Sequence, residues 1–265
     1  MNERARSGAS GVRGRLLHGV VLVLAFAIPL DSARAQTVEP VALELVLAID
    51  TSTSVDGREF LLQREGLAAA FRHQRVQSAI ASLGPGGMAV TVLAWAGEGQ
   101  QQRLTPWVKV TGAASANAFA DRIAAFRRPF KGFTDIGGAL RAATREILNN
   151  RFRGAVLKID VSGDGTSDTG SPAPARDTAV DSGITINGLA IHTEEYDLGT
   201  LARIDLERHF TQEVIGGPGA FYMEAESFAD FAEAIRRKLV REIAGDAFAA
   251  QSNRNPTARG APKLK

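Results

Sequence analysis

The sequence predicts a single-domain, three-layer α/β/α fold of the Rossmann-like kind, with a mostly parallel central sheet and one antiparallel edge strand. Three observations predict it. Continuous apolar runs at residues 41–49, 88–96, 155–161 and 184–191 alternate with segments of helical period, as expected of strands covered on both faces by helices. Residues 103–110, which include Pro106, follow residues 88–96 after only a short polar turn. That connection cannot hold a parallel crossover, so this pair is antiparallel and lies at a sheet edge. No internal repeat and no second domain is visible between residues 40 and 247.

The elements are expected in this order. Residues 41–49 form a buried strand. Residues 58–82 form a helix with Phe60, Leu61, Leu67, Ala70 and Phe71 near one face, broken by Gly84-Pro85-Gly86-Gly87. Residues 88–96 form the second strand and 103–110 the edge strand. Residues 115–127 form an amphipathic helix ended by Pro129. Residues 135–149 form another helix, with Ile136, Leu140, Ala143 and Ile147 on one side. A strand at 155–161, a helix at 175–182, a strand at 184–191, a helix at 198–210 and a short strand at 220–224 follow. The last helix spans 227–244, with Ser227 as N-cap and Phe228, Phe231, Ile235 and Leu239 on its buried face.

The two ends read differently. Residues 1–35 carry Arg4, Arg6, Arg13 and Arg15, then a short apolar stretch at 16–30, then Ala33-Arg34-Ala35. This is the pattern of a Sec-type signal peptide cleaved after Ala35, so a periplasmic or secreted protein is expected, with no transmembrane segment after cleavage. The leader has no adjacent arginine pair, and the chain has no cysteine to take a lipid. Residues 248–265 read as a basic disordered tail. The formal charge of +2 falls to about −1 once the five arginines, Glu3 and Asp31 of the leader are set aside, which argues against a nucleic-acid partner. With zero cysteines the domain must rely on its core, and about 230 residues suffice for one.

Three separated segments carry chemistry: Asp50-Thr51-Ser52-Thr53-Ser54, Thr134-Asp135 and Asp164-Gly165. The first and third follow apolar runs, and the second opens a helical segment. Ligands of open α/β sheets bind at the carboxyl ends of strands, so these segments are expected on one face. Hydroxyls and carboxylates are hard oxygen donors, suited to a cation such as Mg²⁺ that is often held by only one or two carboxylates.

The three segments together resemble the metal-ion-dependent adhesion site of von Willebrand factor A domains, and the resemblance covers roughly residues 41–245. The segments 132–140 and 161–165 look like the family's second and third loops. The resemblance implies a site made of Asp50, Ser52, Ser54, Thr134 and Asp164 that holds Mg²⁺ or Mn²⁺. Ser52 and Ser54 would ligate through their hydroxyls, Thr134 directly or through water, and Asp50 and Asp164 mostly through bound waters. Gly163 departs from the family, where many members carry serine, threonine or aspartate. The chain looks most like the uncharacterised bacterial secreted branch, and the resemblance implies cation-dependent binding of an unknown protein partner that presents an acidic side chain. Residues 98–102, 168–171 and 194–199 would select it.

Other residues admit other readings. The run from Asp160 to Asp168 has partial calcium-loop spacing, but Ser171 stands where a glutamate is needed. Asp135 and Asp56 are expected to be helix-terminal charges, and Asp168 a loop cap. His73 is expected mid-helix, and His192 near the metal face. Trp95 and Trp107 are expected to pack across neighbouring strands. No G-x-S-x-G elbow and no phosphate-cradling glycine pattern is present. The alternatives left open are a metal-dependent hydrolase, for which no general base is evident, and a fold whose metal is only structural.

Overall fold

The computed structural model describes residues 38–192 and 206–254; of residues 246–254 only the backbone is described. The leader, the loop at 194–199 and the end of the tail lie outside the described residues.

The central strand β1 (Glu39–Asp50) sends its side chains alternately into two cores. Leu43, Leu45, Leu47 and Ile49 point to one, Val46 and Ala48 to the other, as the two-residue period of a strand requires. The sheet order is β3-β2-β1-β5-β6-β7, with β2 (Met88–Trp95), β3 (Gln101–Arg103), β4 (Val108–Val110), β5 (Phe152–Gly163), β6 (Ile184–Ile191) and β7 (Tyr222–Ala225). All pairs are parallel except β3 and β4, which both run antiparallel to β2 at one edge.

The first core is covered by α1 (Gly57–Arg72), α2 (Gln74–Ser82), α3 (Ala113–Ala125) and α6 (Phe231–Arg254). The second is covered by α4 (Ile136–Leu148), α5 (Ala173–Asp181) and the helical stretch from residue 206 into a π turn at Phe210–Val214. The three layers and the antiparallel edge are those expected.

Four details differ from expectation. The helix at 58–82 is two helices. His73 is extended (φ −76°, ψ 132°), and its Nδ1 accepts the Arg75 amide at 3.1 Å, so its ring caps α2 rather than lying along a helix. Leu61 is exposed, not part of the buried face. The edge strand is two short strands. Between them the Thr105 hydroxyl accepts the Val92 amide at 3.0 Å, a side chain standing in for the ladder just before Pro106. The last helix starts at Phe231 and continues through Arg254; Ser227 closes the turn before it, its Oγ accepting the Asp230 amide at 3.3 Å.

One glycine is demanded by the backbone. Gly87 turns the chain into β2 at φ 57°, and a Cβ there would lie 2.5 Å from the Val110 carbonyl oxygen.

Candidate metal centre

β1 is the point where the sheet's winding reverses, with β2 on one side and β5 on the other. At such a switch point the loops leaving neighbouring strands diverge and open a crevice. Asp50 ends β1 and is in register with Trp95, while Ile49 faces Ser162, so the end of β5 brings Asp164 to the same crevice.

The first loop folds on itself. Asp50 Oδ1 accepts the Ser52 amide at 2.6 Å. Ser52 Oγ lies 3.0 Å from Ser54 Oγ, and Ser54 Oγ donates to Asp164 Oδ1 at 2.7 Å. Four of the five expected residues are thus linked in one run of hydrogen bonds. Asp50, Ser52 and Asp164 are buried and Ser54 half-buried. The other carboxylate oxygens, Asp50 Oδ2 and Asp164 Oδ2, are buried without a hydrogen-bond partner. A buried carboxylate oxygen left unpaired is costly, and either a proton or a bound cation relieves it.

Thr134 joins the site through its backbone. Its amide donates to Asp168 Oδ2 at 2.9 Å, and its carbonyl accepts the Asp168 amide at 2.8 Å, which ties the second loop to the third. Gly132 O accepts both the Thr53 amide (2.8 Å) and the Thr53 hydroxyl (3.0 Å), which ties the second loop to the first. Asp168 is therefore the loop clamp expected. Asp135 is the N-cap of α4, its Oδ1 accepting the Gly138 amide and the Thr169 hydroxyl, both at 2.8 Å. Asp56 caps α1 in a reciprocal capping box with Glu59.

Two supporting residues carry no signal in the sequence. Arg128, in the irregular segment after α3, donates from Nη2 to the carbonyls of Thr51 (2.8 Å) and Ser52 (2.5 Å). Gln63 of α1 donates to the Asp50 carbonyl at 3.2 Å. Nothing in their spacing marks either as a loop anchor.

Burial, and then the charge of Asp164, push the Asp50 carboxyl up to about 8. Burial also raises Asp164 to about 6. Two carboxylates that resist ionisation side by side are the electrostatic counterpart of their unpaired oxygens. Among the described residues no three carboxylate or histidine side chains converge, so a cation here would depend on hydroxyls as well as on the two aspartates. The donor set fits a hard cation.

Gly163 has a local reason. A Cβ there would stand 3.0 Å from Asp50 Oδ2 and 3.2 Å from the Trp95 ring. The buried indole occupies the space a larger residue would need. Trp107 packs at a tilt of 51° against Phe152 rather than against Trp95 (6.4 Å between the Trp107 and Phe152 centroids) and donates to Glu146 Oε2 at 3.1 Å.

The partial calcium loop begins inside a strand. Asp160 lies within β5, with Lys238 Nζ at 2.5 Å from its Oδ1. His192 is buried after β6, its Nε2 3.7 Å from Glu224.

The chain belongs to the family described as "Protein of unknown function (DUF1194)", which matches residues 40–247. No curated protein matches the sequence. Among solved structures, the pilus adhesin SpaC from Lactobacillus rhamnosus GG in its open conformation is 17% identical, with a TM-score of 0.55 over 77% of this chain and 30% of its own. Proximal thread matrix protein 1 from the mussel byssus is 16% identical, with a TM-score of 0.55 over 77% of this chain and 47% of its own. The conserved hypothetical protein BatB from Bacteroides thetaiotaomicron is 17% identical, with a TM-score of 0.52 over 77% of this chain and 100% of its own. This chain thus spans less than half the length of the first two. At these identities the likeness shows the fold, which is von Willebrand factor A-like.

Proposed function

We propose that this protein binds a protein partner through a divalent cation held by Asp50, Ser52, Ser54, Thr134 and Asp164. The observation that carries the reading is the pair of buried, unpartnered oxygens, Asp50 Oδ2 and Asp164 Oδ2, in a crevice where the Ser54 hydroxyl donates to the other oxygen of Asp164. A hard cation satisfies both carboxylates and accepts the neutral hydroxyls without added charge. Mg²⁺ or Mn²⁺ suits an all-oxygen set. One form of the mussel thread protein is described with a zinc-occupied adhesion-site motif, so a divalent ion at this position of the fold has a precedent.

With only two carboxylates among its donors, the ion would keep a coordination position open for one more anionic oxygen. An acidic side chain of a partner would supply it, and the loops around the crevice would choose the partner. The chain's own part is to hold the donors in place: Arg128 and Gln63 fix the first loop, Asp168 the second to the third. The leader-like residues 1–35 support a periplasmic or secreted setting. The adhesin among the fold relatives is consistent with a role outside the cytoplasm.

The test is capture from a cell-envelope fraction on immobilised protein, in Mg²⁺ and in chelator, with Asp50→Ala as control. The reading expects partners retained in Mg²⁺ by the wild type only. Identical capture in chelator, or by Asp50→Ala, would contradict it. Chelation that lowers the melting temperature while capture stays the same would assign the metal a structural role.

A further inference from the structure

Phe133 is 76% exposed, the most exposed of the large hydrophobic residues among those described, and it precedes Thr134 in the second loop of the metal centre. A single exposed apolar residue is ordinary on a protein surface. This one differs in how it is held. On its amino side, Gly132 O takes two hydrogen bonds from Thr53, and Lys131 O accepts Gln100 Nε2 at 3.1 Å. On its carboxyl side, Thr134 is clamped by Asp168, and the Asp135 amide donates to Ala96 O at 3.0 Å. Gly97 lies close beneath: a Cβ there would stand 3.2 Å from the Phe133 amide nitrogen and 3.7 Å from its Cβ. The backbone under the ring is therefore fixed to three neighbouring segments, while the ring stands in solvent.

A rigidly presented aromatic costs little entropy to engage and offers a large contact area, as interface anchors do. Its position, one residue from a proposed metal ligand, means that whatever reaches the ion passes beside the ring. Lys131, also exposed, adds positive charge on the same loop.

We infer that Phe133 is a specificity-determining contact, and that the partner presents an acidic side chain with an apolar or aromatic residue within about two positions of it. The two contacts divide the work: the carboxylate completes the metal, and the neighbouring apolar side chain covers the ring. The inference rests on the proposed metal-dependent reading of the site.

The test uses a displayed library of random heptapeptides with a fixed central aspartate, bound to the whole protein in Mg²⁺ and released by chelator. The wild type should enrich leucine, isoleucine, methionine, phenylalanine or tyrosine beside the aspartate. A synthetic peptide from that pool should bind Phe133→Ala at least about five-fold more weakly, the effect of losing one interface anchor. The same peptide with serine at the apolar position should bind wild type and variant alike, and Mg²⁺ affinity should be unchanged by the substitution. Chelator-released peptides with no apolar preference, or a preference that persists in Phe133→Ala, would overturn the inference while leaving the metal reading intact. If chelator releases no peptide, both fail.

Discussion

Ser54 Oγ donates to Asp164 Oδ1 at 2.7 Å across 110 residues of sequence. This bond closes the first loop onto the third and leaves the second oxygen of Asp164, like that of Asp50, without a partner. The pair explains why the crevice is both well ordered and electrostatically unfinished.

The unfinished charge sets a pH dependence. Burial raises Asp50 to about 8 and Asp164 to about 6, so the folded, metal-stripped protein holds protons that the unfolded chain releases near pH 4. Stability from these groups is full below the ordinary carboxylate range and is lost as pH rises through about 6 and then about 8. A cation displaces those protons, so its affinity should grow over the same window. Thermal unfolding in chelator should give a lower midpoint at about pH 8 than at about pH 5.5, and Mg²⁺ should raise the midpoint more at the higher pH. A Mg²⁺ effect independent of pH would contradict this.

Arg128 holds the first loop by its carbonyls, and its guanidinium lies 6.0 Å over the Phe60 ring. Burial lowers its pKa, and Asp50 is the first of the charges that oppose this. Arg128→Ala should therefore act on the site more than on the core. A loss of about 1–3 kcal/mol in stability is expected from unpaired loop carbonyls, with Mg²⁺ affinity reduced about ten-fold or more. Arg128→Lys should rescue little, because one ammonium does not also reproduce the bonds of Nε to Phe130 O (3.2 Å) and Nη1 to Asp56 O (3.4 Å). Titration of both variants, beside urea unfolding, checks this.

A second buried charged group joins β5 to α6. Lys238, fully buried, lies 2.5 Å from Asp160 Oδ1 and 2.9 Å from Glu242 Oε1, and Asn187 Nδ2 donates to the same Glu242 oxygen at 2.8 Å. Burial, then the charge of Glu242, raise Asp160 to about 7, with Lys238 opposing. Lys238→Met would leave two buried carboxylates facing each other and should cost about 3–5 kcal/mol in urea unfolding. Lys238→Met combined with Asp160→Leu should recover part of that loss, since both members of one pair are then apolar. No recovery would mean that the lysine acts mainly through Glu242.

Much of this was legible in the residues. β6 is found at the bounds expected, because eight consecutive buried residues leave no ambiguity of period. The first and third loops of the centre were legible because each follows such a run. The split of the first helix was not, because it depends on the His73 ring taking the Arg75 amide, a capping role that a periodicity reading does not see. The split edge strand depends likewise on the Thr105 hydroxyl replacing a main-chain acceptor. Lys238 and Glu242, four apart on a helix, carry no sign of burial in the sequence, and only the fold buries them against Asp160. Arg128 acts through backbone carbonyls, which have no sequence signature.

The central claim is that this crevice holds a cation. The direct measurement is isothermal titration of Mg²⁺ and Mn²⁺ into chelator-stripped protein, wild type beside Asp50→Ala, at about pH 8, where Asp164 is ionised and Asp50 about half ionised. Saturable binding by the wild type, lost in a variant that still folds, is the predicted result. No binding by the wild type, or undiminished binding by Asp50→Ala, would contradict the account.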